Sequence, residues 1–125
     1  MGLDSYIYRR EPGDTRFDIP DVLVSGIFSG HGSNGSFRGK WYEPLISVIS
    51  NGMLTLYEDE ADEDWLGRVA STLEDYLKQL PSDIQTIVVD TPEWGRHEYA
   101  IEEVRALAKL FRQGWEKGCK YSGWW

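Results

Sequence analysis

Residues 30–52 read GHGSNGSFRGKWYEPLISVISNG and join a glycine-rich loop, a basic and aromatic block and an apolar helix without a break. The glycines at the start can take positive φ and expose backbone N–H groups, which predicts a loop. From Trp41 the apolar residues recur at helical spacing, and Asn51-Gly52 supplies a left-handed stop. Because Pro44 would lose a hydrogen bond deep inside a helix, we expect this helix to begin no earlier than about Trp41.

The glycine-rich loop also fits the pattern G-x-G-x-x-G over residues 30–35, with apolar runs at 22–28 before it and 53–57 after it. This order outlines a dinucleotide-binding βαβ unit, in which phosphate lies on a helix N-terminus. Three features argue against that unit: bulky Phe37 and Arg38 two and three residues after Gly35, Pro44 in the helix, and a chain too short for a second nucleotide-binding half. A small-ligand or nucleotide site, with or without enzymatic activity, is therefore the alternative hypothesis. Its candidate ligand-binding or anion-binding residues are Gly30, His31, Gly32, Gly35, Arg38 and Lys40.

Length and composition predict one globular domain over residues 1–125. A hydrophobic content of 41% with six tryptophans is typical of a folded protein. No apolar run is long enough to cross a bilayer, and the start MGLDSYIYRR lacks the apolar centre of a signal peptide. Cys119 is the only cysteine, which indicates a reducing compartment. We therefore expect no membrane association and a cytoplasmic location.

Charge is unevenly distributed along the chain, whose net charge is −8. Residues 58–103 carry fourteen acidic residues against three basic ones, whereas residues 104–125 carry one against five. An acidic middle disfavours direct binding to nucleic acid and favours a protein partner with a basic surface. A solvated face and a charged helix start are the alternative explanations. The candidate partner-binding residues of this run are Glu58, Asp59, Glu60, Asp62, Glu63 and Asp64.

Periodicity predicts an α+β fold. A strand at 2–9 alternates two sets of residues, and a second strand at 22–28 is a candidate hairpin partner for it. About three amphipathic helices are expected near 41–50, 62–80 and 98–117, packed on a small antiparallel N-terminal sheet. The apolar run at 84–89 fits either a short strand or a connector. The turn after it should pin Trp94 against the core. The buried stripe of the last helix should include Ile101, Val104, Leu107, Ala108, Phe111 and Trp115.

Side chains suited to catalysis or metal binding are sparse. The two histidines and the single cysteine form no metal-ligand spacing, and no nucleophile motif is present. We therefore predict no catalytic residues, no metal and no cofactor, and we lean against an enzyme. Arg38 and Lys40 are interleaved with aromatic residues, a pattern that suits phosphate or a stacked base but that equally suits cation–π packing. In so acidic a chain, packing is the favoured interpretation.

The last two residues, Trp124 and Trp125, are the other candidate partner-binding residues. Each aromatic side chain can bury on the order of 200 Å², so a tryptophan pair left in water forgoes a large hydrophobic gain. We favour docking of this end on the fold, because ordered termini are normally docked. If exposed, the pair would be suited to a binding hot spot.

Three short stretches carry a resemblance: residues 1–8 (MGLDSYIY), residues 36–42 (SFRGKWY) and residues 118–125 (GCKYSGWW). Together they resemble a group of small bacterial and phage or prophage proteins with no assigned activity. The resemblance implies a phage-related context, in which small acidic proteins often bind and block a host factor. If a phage encodes the protein, the expected location is the cytoplasm of the host. We therefore expect stoichiometric protein binding, with inhibition of a host or defence complex in the manner of anti-CRISPR proteins.

Overall fold

The computed structural model describes residues 3–8 and 36–124. This part of the chain contains three α-helices and five β-strands, so the α+β class predicted from the sequence is confirmed. The helices are α1 (Gly39–Ile49), α2 (Glu63–Lys78) and α3 (Ile101–Glu116). The strands are β1 (Asp4–Tyr8), β2 (Ser36–Arg38), β3 (Thr86–Thr91), β4 (Gly95–Ala100) and β5 (Lys120–Trp124).

The larger sheet has three antiparallel strands in the order β2-β1-β5. Ser5 at its centre lies opposite Phe37 on one side and Gly123 on the other. The predicted N-terminal sheet was thus only partly right, because one edge strand comes from the C-terminal end of the chain. The predicted strand at 22–28 lies outside the described residues.

The alternation predicted for the first strand is confirmed. Leu3, Ser5 and Ile7 face the core and are fully buried or nearly so, whereas Tyr6 remains 39% exposed on the opposite face. Inside, the hydroxyls of Ser5 and Tyr121 lie 2.7 Å apart, and Tyr121 also donates to the carbonyl of Leu56. Pairing, apolar burial and a buried hydrogen bond therefore all fix β1 between its neighbours.

α1 begins at Gly39, two residues before the predicted limit, so Pro44 is its sixth residue. The early start follows from contact with β1. The Lys40 N–H donates to the Leu3 carbonyl at 3.3 Å, which holds the first turn against the strand. The predicted stop is confirmed, because Asn51 and Gly52 have φ of 56° and 79° after the helix ends.

α2 follows the predicted amphipathic pattern. Its buried residues are Leu66, Val69, Ala70 and Leu73. The Asp62 side chain caps the helix by accepting the N–H of Trp65 at 3.1 Å, and acidic residues occupy the first turn. Part of the acidic run is therefore a helix start.

The run at 84–89 proves to be part of a β-hairpin, in which β3 pairs with β4 from Thr86–Ala100 to Thr91–Gly95. The extended residues of β4 delay the start of α3 to Ile101, three residues later than predicted. The prediction that Trp94 packs against the core was wrong, because this side chain at the hairpin turn is 38% exposed. The hairpin forms a sheet separate from the first.

Two buried carboxylates tie the helices to neighbouring segments. Glu103 accepts the Trp41 Nε1–H at 3.1 Å and the Tyr42 hydroxyl at 2.8 Å through Oε1, and the Ala100 N–H at 2.9 Å through Oε2. Burial, reinforced by the Glu103 charge, raises the pKa of the Tyr42 hydroxyl. These bonds join α1, the end of the hairpin and the start of α3.

Glu43 ties α1 to the segment that follows it. Its Oε2 accepts the Leu56 N–H at 2.7 Å and the Thr55 hydroxyl at 3.0 Å. Burial raises the pKa of this carboxyl, while the two hydrogen bonds offset part of the rise.

Among the described residues, no helix is both long enough and apolar enough to cross a membrane.

Candidate functional site

An open groove of about 680 Å³ lies between the end of α1, one face of α2 and the end of α3. We call it the three-helix groove. Its size falls in the range of ordinary ligand or side-chain pockets. Its lining residues are Ile49, Ser50, Met53, Leu54, Asp64, Gly67, Arg68, Ser71, Thr72, Arg112 and Trp115.

Met53 lines the groove from the loop that follows α1. The left-handed turn at Asn51-Gly52 ends the helix, and the Gly52 N–H closes it by donating to the Ser47 carbonyl at 2.8 Å. Leu54, the next residue after Met53, is buried and fixes the loop to the core. Met53 itself is 76% exposed, the largest exposed fraction among the exposed large hydrophobic side chains of the described residues.

Trp115 lines the groove from α3, and Gly67 provides the space in which it lies. A Cβ at Gly67 would come within 2.6 Å of the Trp115 ring, so any larger residue would displace the indole. A glycine inside a helix destabilises it by about 1 kcal/mol relative to alanine. The indole stays 43% exposed although one of its edges is packed on α2.

Arg112 holds the indole from another side. Its guanidinium carbon lies 5.0 Å from the centroid of the Trp115 ring, within the range of a cation–π contact. The guanidinium donates through Nε to Glu74 Oε2 at 3.0 Å and through a terminal nitrogen to Ser71 Oγ at 3.1 Å. The hydrogen bond from Arg112 lowers the pKa of the Glu74 carboxyl. Trp115 is therefore exposed but fixed in orientation.

The acidic run borders the groove. Its exposed members, which we call the acidic rim, are Asp59, Glu60, Asp62, Glu63 and Asp64. The backbone of this segment lies along the outer edge of β5, where Ala61 and Tyr121 exchange N–H···O bonds of 2.8 and 2.9 Å. Glu60 also forms an ion pair with Lys120 at 2.9 Å. Asp64 belongs to both the rim and the groove, which makes the two surfaces continuous.

The residues proposed for a small-ligand site are placed only in part. Gly30, His31, Gly32 and Gly35 lie outside the described residues. Arg38 ends β2 and Lys40 lies in the first turn of α1, and both side chains are exposed. The nucleotide hypothesis stays a prediction, which thermal shift against a nucleotide and metal panel would test.

One element of the dinucleotide-binding interpretation is wrong. Residues 53–57, which should form the strand after the helix, form no strand. Two of the three aromatic residues of the basic block, Phe37 and Tyr42, are buried and therefore unsuited to base stacking. Phe37 packs edge-on against Tyr42 and Phe111, with ring centroids 6.1 and 5.6 Å apart.

The C-terminal tryptophans are placed only by backbone. Trp124 is the last residue of β5 and lies opposite Asp4. Trp125 lies outside the described residues. Their role as a partner-binding pair stays a prediction.

Sequence reasoning missed most of the three-helix groove. It assigned Trp115 to the buried stripe of the last helix, but the side chain is 43% exposed. Helical spacing places Trp115 on the same side as Phe111, yet it lies at the end of α3, beyond the core. A glycine inside a predicted helix, at Gly67, was the available signal that a large side chain from elsewhere needed space.

In residues 3–8 and 36–124, no group of three or more histidine, cysteine or acidic side chains is placed to hold a metal ion. The two buried carboxylates, Glu43 and Glu103, accept hydrogen bonds that hold the fold together. No protein-family model, curated protein or solved structure matches the chain.

Proposed function

We propose that this protein acts by stoichiometric binding of another protein, with the three-helix groove and the acidic rim as its contact surface. The observation that carries the proposal is the presence of two exposed large apolar side chains, Met53 and Trp115, on the same groove. Clustered exposed apolar groups mark interaction sites more often than single ones do.

The fixed orientation of Trp115 suits it to anchor a partner. Binding immobilises side chains at a cost of about 0.5–1.5 kcal/mol for each rotamer-rich side chain. Gly67 and Arg112 already restrict the indole in the free protein, so less of that cost remains to be met on binding. Tryptophan, tyrosine and arginine are also the residues most enriched at binding hot spots.

Met53 complements this rigid anchor. Methionine is flexible and polarisable, and it adapts to apolar surfaces of different shapes. A rigid indole and an adaptable thioether on one groove would accommodate an apolar side chain of the partner between them. The acidic rim beside the groove supplies the polar border of an interface and favours a partner with a basic surface.

The partner class follows from the resemblance to small bacterial and phage or prophage proteins. On that basis the partner is a host or defence protein, and binding blocks its activity, as anti-CRISPR proteins do. Nonspecific binding to nucleic acid is not part of the proposal, because the rim would repel phosphate.

The test compares the wild-type protein with Trp115→Ala and Met53→Ala as baits in host-cell lysate. We expect a host protein to be retained in a fixed ratio by the wild type and to be at least tenfold depleted with either variant. Each variant removes one hot-spot contact, and the loss of one such contact typically costs 2 kcal/mol or more of binding free energy. Purified components would then give the stoichiometry and the loss of the partner's activity.

Val88→Ala is the matched control, because Val88 is 45% exposed but lies on the hairpin outside the groove. Thermal unfolding of all variants verifies that the fold is retained. The proposal is wrong if no retained protein depends on Met53 or Trp115, or if Val88→Ala abolishes retention equally.

A further inference from the structure

The three-helix groove carries two charges of opposite sign on one of its walls. Asp64 and Arg68 are both exposed and line the same wall, formed by α2. They are four residues apart, which is about 6 Å along a helix. Within residues 3–8 and 36–124, neither side chain takes part in an ion pair. Arg112, by contrast, is already paired with Glu74.

Because the two charges are opposite in sign, the two positions along this wall of the groove differ in the charge that they present to a partner. At the Asp64 end the groove continues into the acidic rim. Arg68 lies one turn further along α2. The apolar side chains Met53 and Trp115 approach the groove from the loop after α1 and from α3. A partner therefore meets an acidic end, two apolar side chains and a cationic position.

We propose that the partner segment bound in the groove presents an apolar side chain between two charged groups: a basic group that faces Asp64 and a carboxylate that faces Arg68. This inference rests on the proposed function and specifies the chemistry of the partner. A segment that was basic along its whole length would place a cation against Arg68. Like charges brought together in an interface are repelled, and an unpaired charge covered by a partner loses its hydration.

Arg68 is thereby a specificity residue. The acidic rim alone would attract any basic protein, since it acts through long-range attraction. A cation inside the groove discriminates against a uniformly basic partner and favours one with a carboxylate at the matching position. Reversing the charge at Arg68 should therefore have opposite effects on the two kinds of ligand.

The test uses two synthetic peptides of equal length with the same central apolar segment. The mixed peptide carries lysines on one side of that segment and glutamates on the other, and the basic peptide carries lysines on both sides. Binding is followed by the NMR signal of the Trp115 indole N–H, assigned with Trp115→Phe. We expect the mixed peptide to bind about fivefold more tightly, the scale of an exposed ion pair gained in place of a repulsion.

Charge reversals then test each position. Arg68→Glu should weaken the mixed peptide about fivefold and tighten the basic peptide, whereas Asp64→Lys should weaken both. Lys78→Glu and Asp75→Lys are the matched controls, because both residues are exposed on α2 outside the groove, and they should change neither affinity by more than about twofold.

The outcomes separate the two proposals. If the basic peptide binds as tightly as the mixed one, or if Arg68→Glu affects both alike, the charge order is wrong while binding in the groove stands. If neither peptide shifts the Trp115 signal at millimolar concentration, the groove does not bind apolar segments and both proposals fail.

Discussion

Gly39 occupies a position where the space for a side chain is already filled. A Cβ there would overlap the Ser5 hydroxyl and would come within 2.8 Å of Leu3 Cδ2. Ser5 lies on the buried face of β1 and Leu3 is the buried residue directly before that strand, so neither can move without disturbing the sheet. The glycine therefore determines how closely α1 approaches the strand.

Gly39→Ala should lower the free energy of unfolding by about 2–3 kcal/mol, although alanine favours a helix, because overpacking of a core forces its neighbours apart. Gly52→Ala is the comparison, since Gly52 has open space around it and only its positive φ is strained. We expect that variant to lose about 1 kcal/mol. Urea denaturation of both measures the difference, and equal losses would show that the Ser5 and Leu3 contacts do not matter.

Replacing each of the two buried glutamates by glutamine should lower the free energy of unfolding by different amounts. Glu103 uses both oxygens as acceptors, so Glu103→Gln places an amide NH₂ against at least one donor. Glu43 makes its two bonds with Oε2, which a glutamine carbonyl can replace. We expect a loss of about 1–3 kcal/mol for Glu103→Gln and less than about 1 kcal/mol for Glu43→Gln. Denaturation at pH 7 tests the order of the two, and the reverse order would contradict it.

Glu43 also predicts a dependence of stability on pH. Burial raises its pKa in the folded protein above the ordinary value of 4.5, so the folded state holds this proton more tightly than the unfolded state. Its contribution to stability is fully present below pH 4.5 and is lost as the pH rises through the folded pKa. The free energy of unfolding of the wild type minus that of Glu43→Gln should thus fall with rising pH above 4.5. A difference that rises instead would contradict the role of burial.

At the scale of elements, the start of α2 separates structural acids from surface acids. Asp62 caps the helix through the Trp65 N–H, whereas Glu63 and Asp64 lie exposed in the first turn and act only through the dipole. Asp62→Ala should destabilise the protein by about 1 kcal/mol, and Asp64→Ala by no more than about 0.5 kcal/mol. Chemical denaturation at high salt should preserve the first loss and reduce the second, because salt screens the dipole term.

The sequence predicted helices better than strands, for a physical reason. The apolar residues of a helix recur three and four positions apart, so a helix can be recognised from one short stretch of sequence. The bounds of α2 were accordingly predicted to within two residues. The hairpin of β3 and β4 was missed in part because Arg96, His97 and Glu98 in β4 give no apolar alternation. What determines that strand is its pairing with β3, and pairing is not visible in one strand alone.

At the scale of the whole molecule, the C-terminal strand completes the fold. β5 pairs with β1 along five positions and carries Tyr121, whose hydroxyl forms buried hydrogen bonds with the Ser5 hydroxyl and the Leu56 carbonyl. Gly123 allows the backbone of the acidic run to lie close by, with the Leu56 and Glu58 carbonyls 2.8 and 3.0 Å from where a Cβ would be.

A chain that ends at Gly118 should therefore fail to fold cooperatively, because β1 would lose its longer partner and the core would lose Tyr121. Circular dichroism and thermal unfolding would show loss of a sigmoidal transition. Tyr121→Phe, which keeps the ring but not the hydroxyl, should stay folded and lose about 1–3 kcal/mol. A truncated chain that unfolds with the wild-type midpoint would contradict this role for β5.

The candidate site was harder to predict than the fold, because its parts are distant in sequence. Met53, Gly67 and Trp115 come from three segments that only the packing of α1, α2 and α3 brings together. The sequence identified the acidic rim, since consecutive charges are visible without a structure. The groove beside the rim could not be predicted in this way, because it is formed by apolar side chains that remain exposed outside the core, and the sequence does not show which ones these are.

The larger sheet and the three-helix groove are built from separate stretches of the sequence. Residues 1–8, 36–42 and 118–125 contain β1, β2 and β5, together with Gly39 and Gly123, whose small size the packing requires. Every residue that lines the three-helix groove lies elsewhere in the chain. Selection for a common frame and selection for a particular target would therefore act on separate residues. If other proteins share the stretches that build this sheet, we expect them to be built alike and yet to recognise different molecules, so that knowing the target of one would not reveal the target of another.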